Sequence, residues 1–119
     1  MSDLPSIDPE AINNLRELSP DDDSFIIEII DIFLEDTPRR IAELESSLAN
    51  QNVEVLERAA HSVKGSSANL GAMPLRGVAE KLEHHARSVG LTGTDEMIAE
   101  LKVRFAEAKV ELDKIAGRG

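Results

Sequence analysis

Apolar residues recur at helical spacing along nearly the whole chain, which predicts an all-helical protein. Residues 1–7 read as a loose lead-in. Asp8 is placed to cap a short helix that begins at Pro9, with Glu10 in its first turn and Ile12, Leu15 and Leu18 as its apolar stripe. Ser19-Pro20-Asp21-Asp22-Asp23 is the next start signal, its carboxylates set against a helix N-terminus. Three aspartates also invite reading as a metal site, but the calcium-loop pattern is absent. The run Phe25, Ile26, Ile27, Ile29, Ile30, Ile32, Phe33, Leu34 is rich in β-branched residues that suit a strand. Its length, and Glu28, Asp31 and Glu35 on a common face, predict a largely buried helix instead. Thr37-Pro38 leaves two readings open. Thr37 caps a new helix that starts at Pro38, or Pro38 kinks one long helix.

Ile41, Leu44 and Leu48 make the next stripe, and Asn50-Gln51-Asn52 the next turn, with Asn52 as cap. A helix is predicted from about Val53 to Leu70. Gly71 is placed to end it in a left-handed conformation, and Pro74 opens another. Leu75, Val78, Ala79, Leu82, Ala86 and Val89 follow helical spacing. Gly90-Leu91-Thr92-Gly93 is a turn and Thr94 a cap. Ile98, Leu101, Phe105, Ala108, Leu112 and Ile115 repeat every seven residues, ending near Ala116, with residues 117–119 fraying. Long stripes joined by short loops bury best against each other. The prediction is an antiparallel up-down four-helix bundle with one or two additional short N-terminal helices, in a single domain over residues 1–119.

Composition changes this picture by exclusion. The formal net charge of −10 argues against nucleic acid and against anionic lipid, both of which demand cations. No apolar run approaches the roughly 20 residues that span a bilayer, and the first residues lack a signal-peptide layout. With no cysteine, disulfides and thiolate metal sites are excluded. A reducing, cytoplasmic location fits these features.

The candidate chemistry lies in Ala59-Ala60-His61-Ser62-Val63-Lys64-Gly65-Ser66-Ser67-Ala68-Asn69-Leu70-Gly71. At about 100° per residue, Leu56, Ala59, Ala60, Val63, Ser67 and Leu70 gather on one side, and His61 projects from nearly the opposite one. Lys64, Gly65 and Ala68 share the His61 face. Gly65 costs a helix roughly 1 kcal/mol relative to alanine, so its missing side chain calls for a use. An exposed imidazole, with a reference pKa of about 6.5, is a nucleophile near neutral pH. A lysine beside it suits an anion such as phosphate, and a bare turn admits a partner surface. The combination points to a histidine that carries a phosphoryl group and hands it to another protein.

The run from His61 to Gly71 resembles the H-x-x-K-G-x-x-x-x-x-G motif of histidine-containing phosphotransfer (HPt) domains. The resemblance extends over most of the chain, from the Phe-Leu-Glu-Asp-Thr-Pro segment to Leu82-Glu83. It implies an intermediate in a two-component phosphorelay, without kinase activity of its own, whose His61 accepts phosphoryl from one receiver-domain aspartate and passes it to another. Lys64 then neutralises phosphoryl charge and Gly65 gives steric clearance. The implied partners are response-regulator receiver domains and a hybrid sensor histidine kinase. No cofactor or metal is expected on this chain, since the receiver supplies Mg²⁺.

Flanking positions extend the candidate surface. Glu57, one turn before His61, is placed to accept a proton from the ring and orient it, or else to be a solvated charge. Arg58, Ser62, Ala68 and Asn69 are candidate partner contacts. The Ser66 and Ser67 hydroxyls suit local bonds to the backbone. His84 and His85 point about 100° apart and read as exposed polar positions. A helical adaptor that binds a partner and never carries phosphate shares the same fold; the intact His61–Lys64–Gly65 face is what an adaptor would not require. A metal-binding bundle would need convergent Glu-x-x-His pairs, which are absent.

Overall fold

A computed structural model describes residues 4–118, and these contain five helices and no strand. The first, α1 (Pro9–Glu17), starts as its sequence dictates: Pro9 opens it and the Asp8 carboxylate accepts from the Glu10 N–H at 3.0 Å. α2 (Ser24–Ala49) starts behind Asp22, whose carboxylate takes both the backbone N–H and the hydroxyl of Ser24, at 2.9 and 2.8 Å. Asp22 is thereby held below the ordinary aspartate range, first by the backbone hydrogen bond and then by the hydroxyl. α3 (Val53–Asn69) is capped by Asn52, which accepts from the Val55 N–H. α4 (Met73–Ser88) and α5 (Thr94–Ile115) complete the chain.

α2 to α5 form the four-helix bundle. Each packs on its successor, and α5 closes the ring against α2, while α1 lies on α2. The short connections over 50–52, 70–72 and 89–93 force successive helices to run antiparallel. The core is the sum of the inward stripes, with Ile30, Leu44, Leu56, Val63, Leu82, Leu101 and Leu112 fully buried. Among the described residues no helix is long and apolar enough to cross a membrane.

Several expectations are refined. α2 runs unbroken through Pro38, so the reading with a new helix at Thr37 is wrong. Pro38 is exposed, and its lost N–H and ring clash act on the outer face. The inner face, Ile26, Ile30, Phe33, Thr37, Ile41, Leu44 and Ser47, stays buried on both sides of it and holds the helix together. Ile32, expected in a largely buried run, is exposed, as are Leu18 and Val89, because each falls outside the arc its helix turns inward. Thr94 is the first helical residue rather than the cap. Gly93, at φ +83°, stands before it, and the Thr94 hydroxyl donates to the Leu91 carbonyl at 2.7 Å.

The termini are partly engaged. Within the lead-in, residues 1–3 lie outside the described residues, but Ile7 is buried in the core. In the tail, Gly119 lies outside them, while Arg118 reaches Asp31 on α2 at 2.6 Å. Gly71 does more than end α3. It has φ +72°, its carbonyl accepts from the Asp8 N–H at 2.8 Å, and a Cβ there would come within 2.6 Å of Ala11 Cβ. The α3–α4 turn is thus seated on the start of α1.

Candidate functional site

His61 stands mid-way along α3 with its side chain 66% exposed, while its α3 neighbours Ala59, Ala60 and Val63 are buried. The ring is not free to rotate. Its Nδ1 lies 2.7 Å from Oε2 of Glu83 on α4, a carboxylate only 5% exposed. Lys64 Nζ donates to the other oxygen, Oε1, at 2.6 Å. Arg87, one turn on from Glu83, reaches Glu83 Oε2 at 3.3 Å and Glu57 Oε1 at 2.8 Å. Two helices are therefore stitched together at the level of His61 by two carboxylates and three nitrogen-bearing side chains.

The charge state of Glu83 decides the chemistry of the ring. Burial works to raise its pKa, but the hydrogen bonds from Lys64 and His61, with their charges, outweigh it and hold the carboxyl below its ordinary 4.5. At neutral pH Glu83 is a carboxylate, which only accepts. The hydrogen between it and His61 must therefore sit on Nδ1. In the neutral ring this leaves the lone pair on Nε2, the nitrogen not engaged by Glu83, in a side chain that is mostly exposed.

Sequence reasoning missed Glu83 as the orienting group and considered Glu57 for it. Glu57 is instead occupied by Arg87, and it lines a shallow depression beside His61 together with Glu54, Arg58, Glu83 and Arg87. The signal was available: Glu83 sits between Leu82 and Ala86 near the apolar stripe of α4, an unusual place for a carboxylate without a partner. Only the α3–α4 packing shows which groups meet it, because His61 and Lys64 lie 22 and 19 residues away in the chain.

The remaining candidates separate. Gly65 is exposed on the turn after His61, and a Cβ added there would meet nothing within 4 Å. Among the described residues nothing requires the glycine. Ala68 and Asn69 are exposed about 10 Å or more further along α3, at ~1.5 Å per residue. Ser66 donates to the Ser62 carbonyl at 3.1 Å and Ser67 to that of Val63, both local backbone bonds. His84 is exposed, but His85 is half-buried and its Nε2 donates to the Thr92 carbonyl in the α4–α5 loop.

The Hpt domain family model matches residues 28–113, which is most of the chain and includes the whole His61 site. The chain belongs to the Hpt domain family. Among its relatives, multistep phosphorelay regulator 1 of Schizosaccharomyces pombe is 30% identical over 86 residues, 71% of this chain and 29% of that protein. Phosphorelay intermediate protein YPD1 of Candida albicans is 20% identical over 89 residues, 75% of this chain and 48% of that protein. The chain thus spans less than half of the length of either of these curated relatives. A solved structure, histidine-containing phosphotransfer protein B of Pseudomonas aeruginosa PAO1, matches with a TM-score of 0.88 and 28% identity over 97% of each chain.

Proposed function

We propose that this Hpt domain is a phosphocarrier in a phosphorelay, with His61 as the residue that bears the phosphoryl group. The observation that carries the reading is the buried Glu83 carboxylate on Nδ1, which leaves a nucleophilic Nε2 exposed. Nε2 attacks the phosphorus of an aspartyl phosphate on a receiver domain. A P–N bond forms, the acyl phosphate P–O bond breaks, and the aspartate leaves as carboxylate. The phosphorylated ring is cationic while it keeps its Nδ1 proton, and the Glu83 carboxylate stabilises that charge. Onward transfer reverses the electron flow, returning the lone pair to Nε2.

The rest of the machinery belongs to the partner. In-line phosphoryl transfer needs positioning and charge neutralisation. This chain offers cationic side chains beside His61, and a receiver that brings Mg²⁺ completes the site. The chain has no kinase activity of its own in this reading. It works in the cytoplasm between receiver domains, including that of a hybrid sensor kinase. Gly65 keeps the docking face low, and Glu57, Arg58, Ala68 and Asn69 border it.

The test is transfer of label from a phosphorylated receiver domain. The expected product is acid-labile, alkali-stable label on the wild-type chain and none on His61→Gln. Label that persists in His61→Gln moves the site elsewhere. No label from any member of a receiver panel favours a helical adaptor that never carries phosphate.

A further inference from the structure

The cations around His61 are not equally available. Lys64 is tied to Glu83 Oε1 at 2.6 Å, and Arg87 is shared between Glu57 and Glu83. Glu83 therefore already compensates Lys64 in the resting state. Arg58 differs: it is exposed and has no hydrogen-bond or ion-pair partner among the described residues.

Its position suits the outer nitrogen of the ring. Relative to His61, Glu57 and Lys64 lie on one flank of α3 at about 100° per residue, and both are bonded to α4 residues. Arg58 lies on the other flank, with Gly65. A helical side chain covers the turn N-terminal to its own Cα. That turn of α3 carries both Glu57 and Arg58, and the depression there is lined by Glu54, Glu57, Arg58, His61, Glu83 and Arg87. Lys64 does not line it.

We infer that Arg58 is the counter-ion of the phosphoryl group once it sits on Nε2 of His61, with Lys64 serving mainly to hold the Glu83 carboxylate. This rests on the phosphocarrier reading above. The chemistry favours it: a guanidinium presents several donors in a fixed fork that matches phosphoryl oxygens, and an unpaired one gives up no existing bond to do so. The acids that face the same depression, Glu54, Glu57 and Glu83, repel a phosphoryl dianion. Glu57 and Glu83 are already neutralised by Arg87 and Lys64, which leaves Arg58 to set the balance against Glu54.

The experiment uses the whole chain and phosphoramidate, a small donor that needs no docking. Its P–N bond breaks, the Nε2–P bond forms, and ammonia leaves with a proton from solvent. The ³¹P resonance of the phosphohistidine is then titrated in wild type, Arg58→Ala, Arg58→Lys and Lys64→Ala, with circular dichroism to confirm folding. An adjacent guanidinium holds the phosphoryl group in its dianionic form. In Arg58→Ala the midpoint of its last ionisation is expected to rise by about 0.5 pH unit at low salt. The difference is expected to shrink in 1 M salt, where the screening length is about 3 Å. Arg58→Lys should recover part of the shift, and Lys64→Ala should move the midpoint less than Arg58→Ala does. Equal midpoints in wild type and Arg58→Ala, or a larger shift in Lys64→Ala, overturn the assignment to Arg58 while leaving the carrier reading intact. A wild-type chain that takes no label on His61 overturns both.

Discussion

Replacing Gly65 separates what the fold needs from what a partner needs. Gly65 lies inside α3 and is exposed, and a Cβ there meets nothing within 4 Å. Alanine in its place fits without strain and removes the entropic cost of glycine in a helix, about 1 kcal/mol. Unfolding entropy of about 2.1 cal/mol/K per residue, over a chain of 119 residues, turns that gain into a Tm rise of about 4 °C. The same methyl stands on the docking face one turn from His61. Forcing added bulk into a packed contact costs about 1–3 kcal/mol, so receiver-dependent transfer should fall about 5- to 150-fold, and further for Gly65→Leu. Thermal unfolding measures the first effect, and kcat/KM for transfer from a phosphorylated receiver measures the second. Labelling by phosphoramidate should be unchanged, since a small donor does not touch the surface around Gly65. Destabilisation by Gly65→Ala would mean that the glycine serves internal packing. Full transfer activity in Gly65→Leu would mean that no partner surface approaches this turn. Either result refutes the docking role.

Two further substitutions probe the site and the core. Glu83 has its folded pKa depressed below 4.5, so its contribution to stability is present above that value and lost as pH falls through the folded pKa. Glu83→Gln should cost on the order of 1–3 kcal/mol at pH 7 in urea unfolding, with the gap to wild type closing as pH falls from 4.5 through the folded pKa; a gap that stays constant through that window contradicts the ionised assignment. Thr37 is 1% exposed and its hydroxyl has no hydrogen-bond partner among the described residues. Thr37→Val removes that orphaned group at nearly constant shape and should stabilise the chain by about 1 kcal/mol, whereas a loss of stability in the same assay shows that the hydroxyl is satisfied in solution.

Much of the fold was legible in the chain because its cues are local. Asp8 and Asn52 cap the helices they were expected to cap, Gly71 adopts the left-handed conformation that ends α3, and the heptad of α5 is the face that it buries. Each of these depends on residues a few positions apart. Pro38 was ambiguous for the opposite reason. Its local cost favours a break, and the stripe that overrules it is felt only when the rest of the bundle covers both sides of the proline.

The site divides in the same way. Helical periodicity by itself put His61 outward and set Lys64 and Gly65 beside it, since neighbours three and four residues apart share a helix face. Only the tertiary structure decided that Glu83 holds Nδ1, that Lys64 and Arg87 are taken up by carboxylates, and that Arg58 has no partner among the described residues. Those facts come from the packing of α3 against α4. Which side chains meet across two helices depends on their rotation and axial register, and no spacing within one helix encodes either.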